Sequence, residues 1–167
     1  MAPSRSYNDR MPKRLLSLLL AALFALSLAP AWSADGLPSK FDARRDAVAD
    51  VQQALAMAKA EGKRVLVDVG GEWCTWCHVF DRFIAARAPV RSELQSHYVL
   101  VKVNYSPQNR NERLLSQWPK ARGYPHFYVL DATGNLVASQ PSGELEAGND
   151  YDEAKVLAFL RGNRAGN

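Results

Sequence analysis

An α/β fold, with a mixed central sheet flanked by helices on both faces, is predicted by three features of this 167-residue chain. Two short apolar runs, Val65–Val69 and Tyr98–Asn104, are separated by helix-patterned sequence, as in parallel strands joined by a crossover. A third run, Phe127–Leu130, leads through Asp131-Ala132-Thr133-Gly134 into Leu136–Ser139, a hairpin signal. The chain's only two cysteines stand where the first run ends, as Cys74-Thr75-Trp76-Cys77.

The elements follow in order. Arg10, Lys13 and Arg14 precede Leu15–Ala29, a stretch without charge, and small residues follow at Ala29, Ala31, Ser33 and Ala34. This is the pattern of a secretory signal peptide over residues 1–34, cleaved between Ala31 and Ala34 with Ala34 preferred. Met11 competes with Met1 as the start. The apolar stretch is about 15 residues, short of the roughly 20 that span a bilayer. No stable membrane anchor is expected after cleavage, and the mature protein is placed in the periplasm or outside the cell. Residues 35–45 are polar and predict an irregular arm, and residues 46–167 a single domain.

Within that domain, Asp46–Glu61 repeats apolar residues at Val48, Val51, Leu55 and Ala58, a helical spacing stopped by Gly62. Val65–Val69 is apolar almost throughout, as in a strand covered on both faces. A helix is predicted from Cys74 to Arg87, burying Val79, Phe80, Phe83 and Ile84, with Pro89 beyond its end. Tyr98–Asn104 is the second buried strand. Arg110–Trp118 is expected to be helical, and Asp152–Arg161 closes the chain as a helix with Val156, Leu157 and Leu160 on one face. The arginines at 82, 87 and 91 read as a solvated face.

Four of the 21 basic and one of the 17 acidic residues fall in residues 1–34. The rest of the chain therefore carries 17 against 16, a net charge of +1. The basicity belongs to the leader, and no nucleic-acid footprint is seen.

A C-x-x-C pair at the start of a helix reads as a redox-active dithiol. Free N–H groups and the dipole at a helix N-terminus favour a thiolate, and the thiolate is the nucleophile in disulfide exchange. A disulfide closing so short a loop adds little stability, so exchange is the better reading of its purpose.

Around this pair the sequence resembles the thioredoxin superfamily. Val67-Asp68-Val69-Gly70-Gly71-Glu72-Trp73-Cys74 is similar to the segment in which a strand with a buried Asp leads into Trp-Cys-x-x-Cys. Gly123-Tyr124-Pro125 resembles the Gly-x-Pro whose proline is cis and faces the dithiol. The run from Ala58 to Val67, ending in W-C-x-W-C-H, is most similar to exported thioredoxin-like proteins of bacteria. The resemblance spans roughly Asp46 to Arg161.

The resemblance implies roles. Cys74 would be the exposed nucleophile with a lowered pKa, and Cys77 the more buried resolving thiol. Asp68 would take the proton from Cys77, its pKa raised by burial. Trp73, Trp76, Tyr124 and Pro125 would form the substrate surface, with the Tyr124 backbone pairing to an extended segment. His78 and His126 are candidates for tuning the thiolate. The expected partners are protein thiols and disulfides and a redox-recycling protein. No cofactor and no metal are expected, and a monomer is. The reductase direction is slightly favoured by Asp68 and Trp73. Thr75-Trp76 between the cysteines, His78 after them and His126 after the proline depart from thioredoxin, so its redox poise is not carried over.

Other readings stay open. Cys74-Thr75-Trp76-Cys77-His78 is also the C-x-x-C-H of c-type haem attachment, with Met57, His97 or His126 as a distal ligand. Cys74, Cys77, His78 and His126 could supply a zinc site if the fold gathered them. A thioredoxin-fold adaptor, or a protein handling a soft ion such as Cu(I), would use the same dithiol to capture rather than to turn over.

Overall fold

The structure is a computed structural model, and it describes residues 36–166. The leader and its cleavage region lie outside the described residues. Among those described, no helix is long and apolar enough to cross a membrane.

Residues 36–46 form no helix or strand. Helix α1 (Ala47–Glu61) starts at Asp46, whose carboxylate accepts from the Val48 and Ala49 N–H groups, and stops at Gly62 in the left-handed conformation, φ +66°. Both ends thus satisfy backbone groups that a bare helix leaves open. Strand β1 is Arg64–Gly70, α2 Thr75–Ala86, α3 Ala88–His97 and β2 Tyr98–Asn104. A single turn, α4 (Glu112–Leu115), precedes β3 (His126–Leu130) and β4 (Leu136–Pro141). A 3₁₀ turn (Ser142–Leu145), the short strands β5 (Glu146–Ala147) and β6 (Asp150–Tyr151), and α5 (Glu153–Gly162) complete the chain.

The sheet order is β2-β1-β3-β4. β1 runs parallel to β2 and antiparallel to β3, and β3 antiparallel to β4. This is the predicted mixed sheet, and strand alternation divides it into two faces. Val65, Val67, Val69, Val101, Val103, Tyr128 and Leu130 pack with Val51, Ala54 and Ala58 of α1. Leu66, Phe127 and Val129 pack with Phe80 and Phe83 of α2, Val90 and Leu94 of α3, and Val156 and Leu160 of α5. Fully burying each such aliphatic or aromatic side chain contributes about 1.5–3 kcal/mol.

Two expectations need correction, and two elements were not foreseen. The helix from Cys74 ends before Pro89 as expected, but the element that follows was not foreseen. Arg87 is extended and caps α2, and a second helix starts at Ala88 with the proline in its first turn. Proline is tolerated there because its missing N–H would have had no partner. Arg82 and Arg87 are exposed, Arg87 lying over the Phe83 ring, whereas Arg91 leaves that solvated face, is partly buried and donates to the Ile84 and Ala85 carbonyls. The helix expected over Arg110–Trp118 shrinks to one turn. Asn104, Ser106, Asn109 and Asn111 hydrogen-bond the preceding loop through their side chains, an alternative to helix that such residues favour. The β5–β6 hairpin was not foreseen, since two-residue strands carry no periodicity.

Candidate active site

β1 delivers Asp68 to the α2 face of the sheet and then ends at Gly70-Gly71. Glycine is needed at 70, because a Cβ there would run into Cys77 Sγ and come within 3.2 Å of Phe41 Cζ. Cys74 is the N-cap of α2. Its sulfur accepts from the Cys77 N–H at 3.2 Å, and its carbonyl from the N–H groups of Cys77 and His78. Any negative charge on Cys74 therefore sits at the positive end of a helix. Cys74 and Cys77 are joined in a disulfide.

One expectation fails at this point. Cys74 is not exposed: 3% of its surface is accessible, and none of Cys77's. Phe41, Trp76 and Tyr124 pack around the pair. The exposed residue is Trp73, 56% accessible, with its indole N–H donating to the Tyr105 carbonyl at 2.8 Å. Trp73 meets Tyr124 edge-on at 5.6 Å, and Tyr124 stacks on Tyr105 at 4.9 Å. Burial and then Tyr105 push the Tyr124 phenol pKa up. The Tyr124–Pro125 peptide bond is cis. Trp76 is half-buried, edge-on to Tyr151, whose hydroxyl donates to the Trp76 carbonyl.

A charged group of three includes Lys102, which lies under the same Phe41 ring that packs on the cysteines. Asp68 is wholly buried, and Lys102 of β2 reaches its Oδ2 at 2.9 Å and Asp81 Oδ1 of α2 at 2.7 Å. Asp68 Oδ1 has no hydrogen-bond partner among the described residues. Desolvation pushes the Asp68 pKa up, with Lys102 pulling the other way and Asp81 adding to the rise. Burial works against the charge on Lys102, yet its two carboxylates outweigh that and raise its pKa. An unpaired ion here would cost several kcal/mol, so a lysine shared by two acids is the arrangement that lets the group stay buried.

The two histidines part company. His78 Nε2 lies 2.9 Å from the Glu72 carbonyl oxygen, beside the Cys74 turn. His126 shares the α1 face with Tyr128, opposite to Asp68, with its Nε2 2.9 Å from Ser139 Oγ. Desolvation lowers the His126 pKa, with Glu144 opposing. The structure does not bring His126 to the dithiol. Nor do Cys74, Cys77, His78 and His126 converge as ligands, since no group of three or more metal-ligating side chains occurs among the described residues. The haem alternative needs two open thiols and an open histidine. Here both sulfurs are buried and bonded to each other.

Sequence reasoning missed Lys102, Asp81, Phe41 and Tyr105. A signal for the first existed: Lys102 is the one charge in the apolar run Tyr98–Val103, as Asp68 is in Val65–Val69. The two residues are register partners in adjacent strands.

Comparison with known proteins bears on the family and the fold. A family model described as thioredoxin-like matches residues 46–132. The thiol:disulfide interchange protein DsbD of Tatumella citrea is 31% identical over 119 residues, 71% of this chain and 19% of that protein. This chain thus spans about a fifth of the length of that curated relative. A disulphide isomerase of Xylella fastidiosa superposes with a TM-score of 0.63 at 25% identity, covering 77% of this chain and 98% of that one. The reduced C-terminal domain of DsbD from Neisseria meningitidis, at 18% identity and a TM-score of 0.53, shares the fold over 71% of this chain and 98% of its own.

Proposed function

This chain belongs to the thioredoxin-like family, and from that premise we propose that it is a thiol–disulfide oxidoreductase acting on protein substrates through Cys74 and Cys77. The carrying observation is the Cys74–Cys77 disulfide at the N-terminus of α2, with the buried carboxylate of Asp68 on the same side of the sheet.

In the reductive direction, the Cys74 thiolate attacks a substrate disulfide. A Cys74–substrate disulfide forms and one substrate sulfur leaves as a thiolate. The Cys77 proton passes to Asp68, and the Cys77 thiolate attacks Cys74 Sγ. The Cys74–Cys77 bond forms, the second substrate sulfur departs and takes a proton from solvent, and the electron pair has moved from dithiol to substrate. The sulfurs carry the electrons, so no dissociable cofactor enters. Trp73, Trp76, Tyr124 and Pro125 supply the docking surface, and His78 adjusts the Cys74 turn through its bond to Glu72.

The uncharged stretch Leu15–Ala29 supports export, with cleavage near Ala34 and a periplasmic or secreted location. A separate redox protein then recycles the site. Asp68 and Trp73 favour the reductase direction.

The test is dithiothreitol-driven reduction of a protein disulfide by purified protein. Cys74→Ser is expected to fall to the uncatalysed rate, and Cys77→Ser to accumulate a mixed disulfide visible as a mass adduct. Undiminished turnover by Cys74→Ser would sink the proposal.

A further inference from the structure

Phe41 belongs to no helix or strand, yet it is 4% exposed and packs against both cysteines. Its ring centre lies 4.2 Å from Lys102 Nζ, and Gly70 leaves the space it occupies. The arm that carries it is pinned on both sides. The Phe41 N–H donates to Glu72 Oε1 at 3.0 Å, tying the arm to the loop before Cys74. Asn109 Nδ2 donates to the Ala43 carbonyl at 3.0 Å, and Arg45 binds Asp50 of α1. So many anchors for one short irregular segment point to a fixed cover rather than a passing contact.

Resting on the dithiol-exchange reading, we infer that Phe41 is a positioning residue: it closes the pocket of Cys77, Asp68 and Lys102 against water, and so holds Asp68 as a base strong enough to take the Cys77 proton. The physical reason is the exclusion of water, the Phe41 ring standing where a water shell of the Lys102 ammonium would otherwise lie. Removing the ring would leave a space lined by charged groups, which water fills. Water then solvates ionised Asp68, and its pKa drops toward the ordinary carboxylate value. A weaker base takes the Cys77 proton less readily, and the second step of exchange slows.

The groups facing Asp68 bound the interpretation. They are Lys102 on β2, Asp81 and the cysteines at the start of α2, and Tyr151 on β6, whose own phenol responds to the Asp68 charge. None of these changes when only Phe41 is replaced.

The experiment is a ¹³C-carboxyl NMR titration of Asp68 in the disulfide form, without substrate. Phe41→Ala is expected to lower the midpoint by about one pH unit or more. Phe41→Leu, which restores an apolar cover, should return it close to that of the wild type. An unmoved midpoint in Phe41→Ala overturns the inference. A midpoint in Phe41→Leu as low as in Phe41→Ala also overturns it, because the ring face and not water exclusion would then govern. If Phe41→Ala does not fold, Phe41→Gln, which fills more of the space than alanine but is polar, is judged by the same criterion. Because no turnover is measured, failure here leaves the exchange reaction standing, and failure of Cys74→Ser to lose activity leaves this titration readable.

Discussion

The two faces of the sheet are built from the same strands and put to different ends. On the α1 face, alternate residues of β1 and β2 are valines, and β3 adds Tyr128 and Leu130. On the other face the same strands contribute Leu66, Asp68, Lys102, Asn104 and Phe127. Both faces carry an apolar core, but the second gives up part of its apolar surface to an ion pair that lies under the same Phe41 ring as the disulfide. A stability-driven sheet would not place charge at Asp68, because a buried ion pair is rarely worth more than a well-packed apolar one. Its position under α2 is what supports the proposed role of this side in exchange.

The sharpest way to break this contrast is to put a charge on the apolar face. Val67 is wholly buried between Val101 and Tyr128. Val67→Asp, with no lysine to meet it, is expected to cost about 4 kcal/mol or more, enough to unfold a typical domain. Loss of the cooperative denaturant transition would show it. Wild-type stability in Val67→Asp would mean that the faces do not differ as described.

A smaller and more specific effect belongs to Asp68. Its folded pKa is raised above the ordinary 3.8. Between those two values the native protein holds a proton that the unfolded chain releases. Stability is therefore full below the window and declines as pH rises through it. Asp68→Asn should lack that decline. Denaturant midpoints measured from about pH 4 to pH 8 would run parallel in the two proteins if Asp68 were an ordinary carboxylate.

The smallest effect is on the α1 side. Asp46→Ala removes the cap of α1 and should cost about 1 kcal/mol, read as a shift in denaturant midpoint. The Asp68 titration should stay where it was, because the loss falls on the apolar face alone. A moved Asp68 titration would mean that the two faces are coupled.

The sequence by itself determined the local features. Asp46 and Gly62 bracket α1, the apolar runs locate β1 and β2, and the turn at Asp131–Gly134 joins β3 to β4. The Cys-x-x-Cys pair already marked the junction where the chemistry lies. Each of these signals is contained in a window of a few residues, where periodicity and capping act. Pro89 shows the limit: a proline that closes one helix can equally open the next, and the letters alone do not choose.

Tertiary structure decided the environment of the dithiol. Lys102 is 34 residues from Asp68 and 21 from Asp81, and Glu72 is 31 from the Phe41 amide it holds. Only strand register and the docking of α2 over the sheet bring such residues together. The burial of Cys74, the separation of His126 from the site and the cover provided by Phe41 arise in the same way. Burial and pairing are properties of what surrounds a group, and in a folded chain most of the surroundings come from distant sequence.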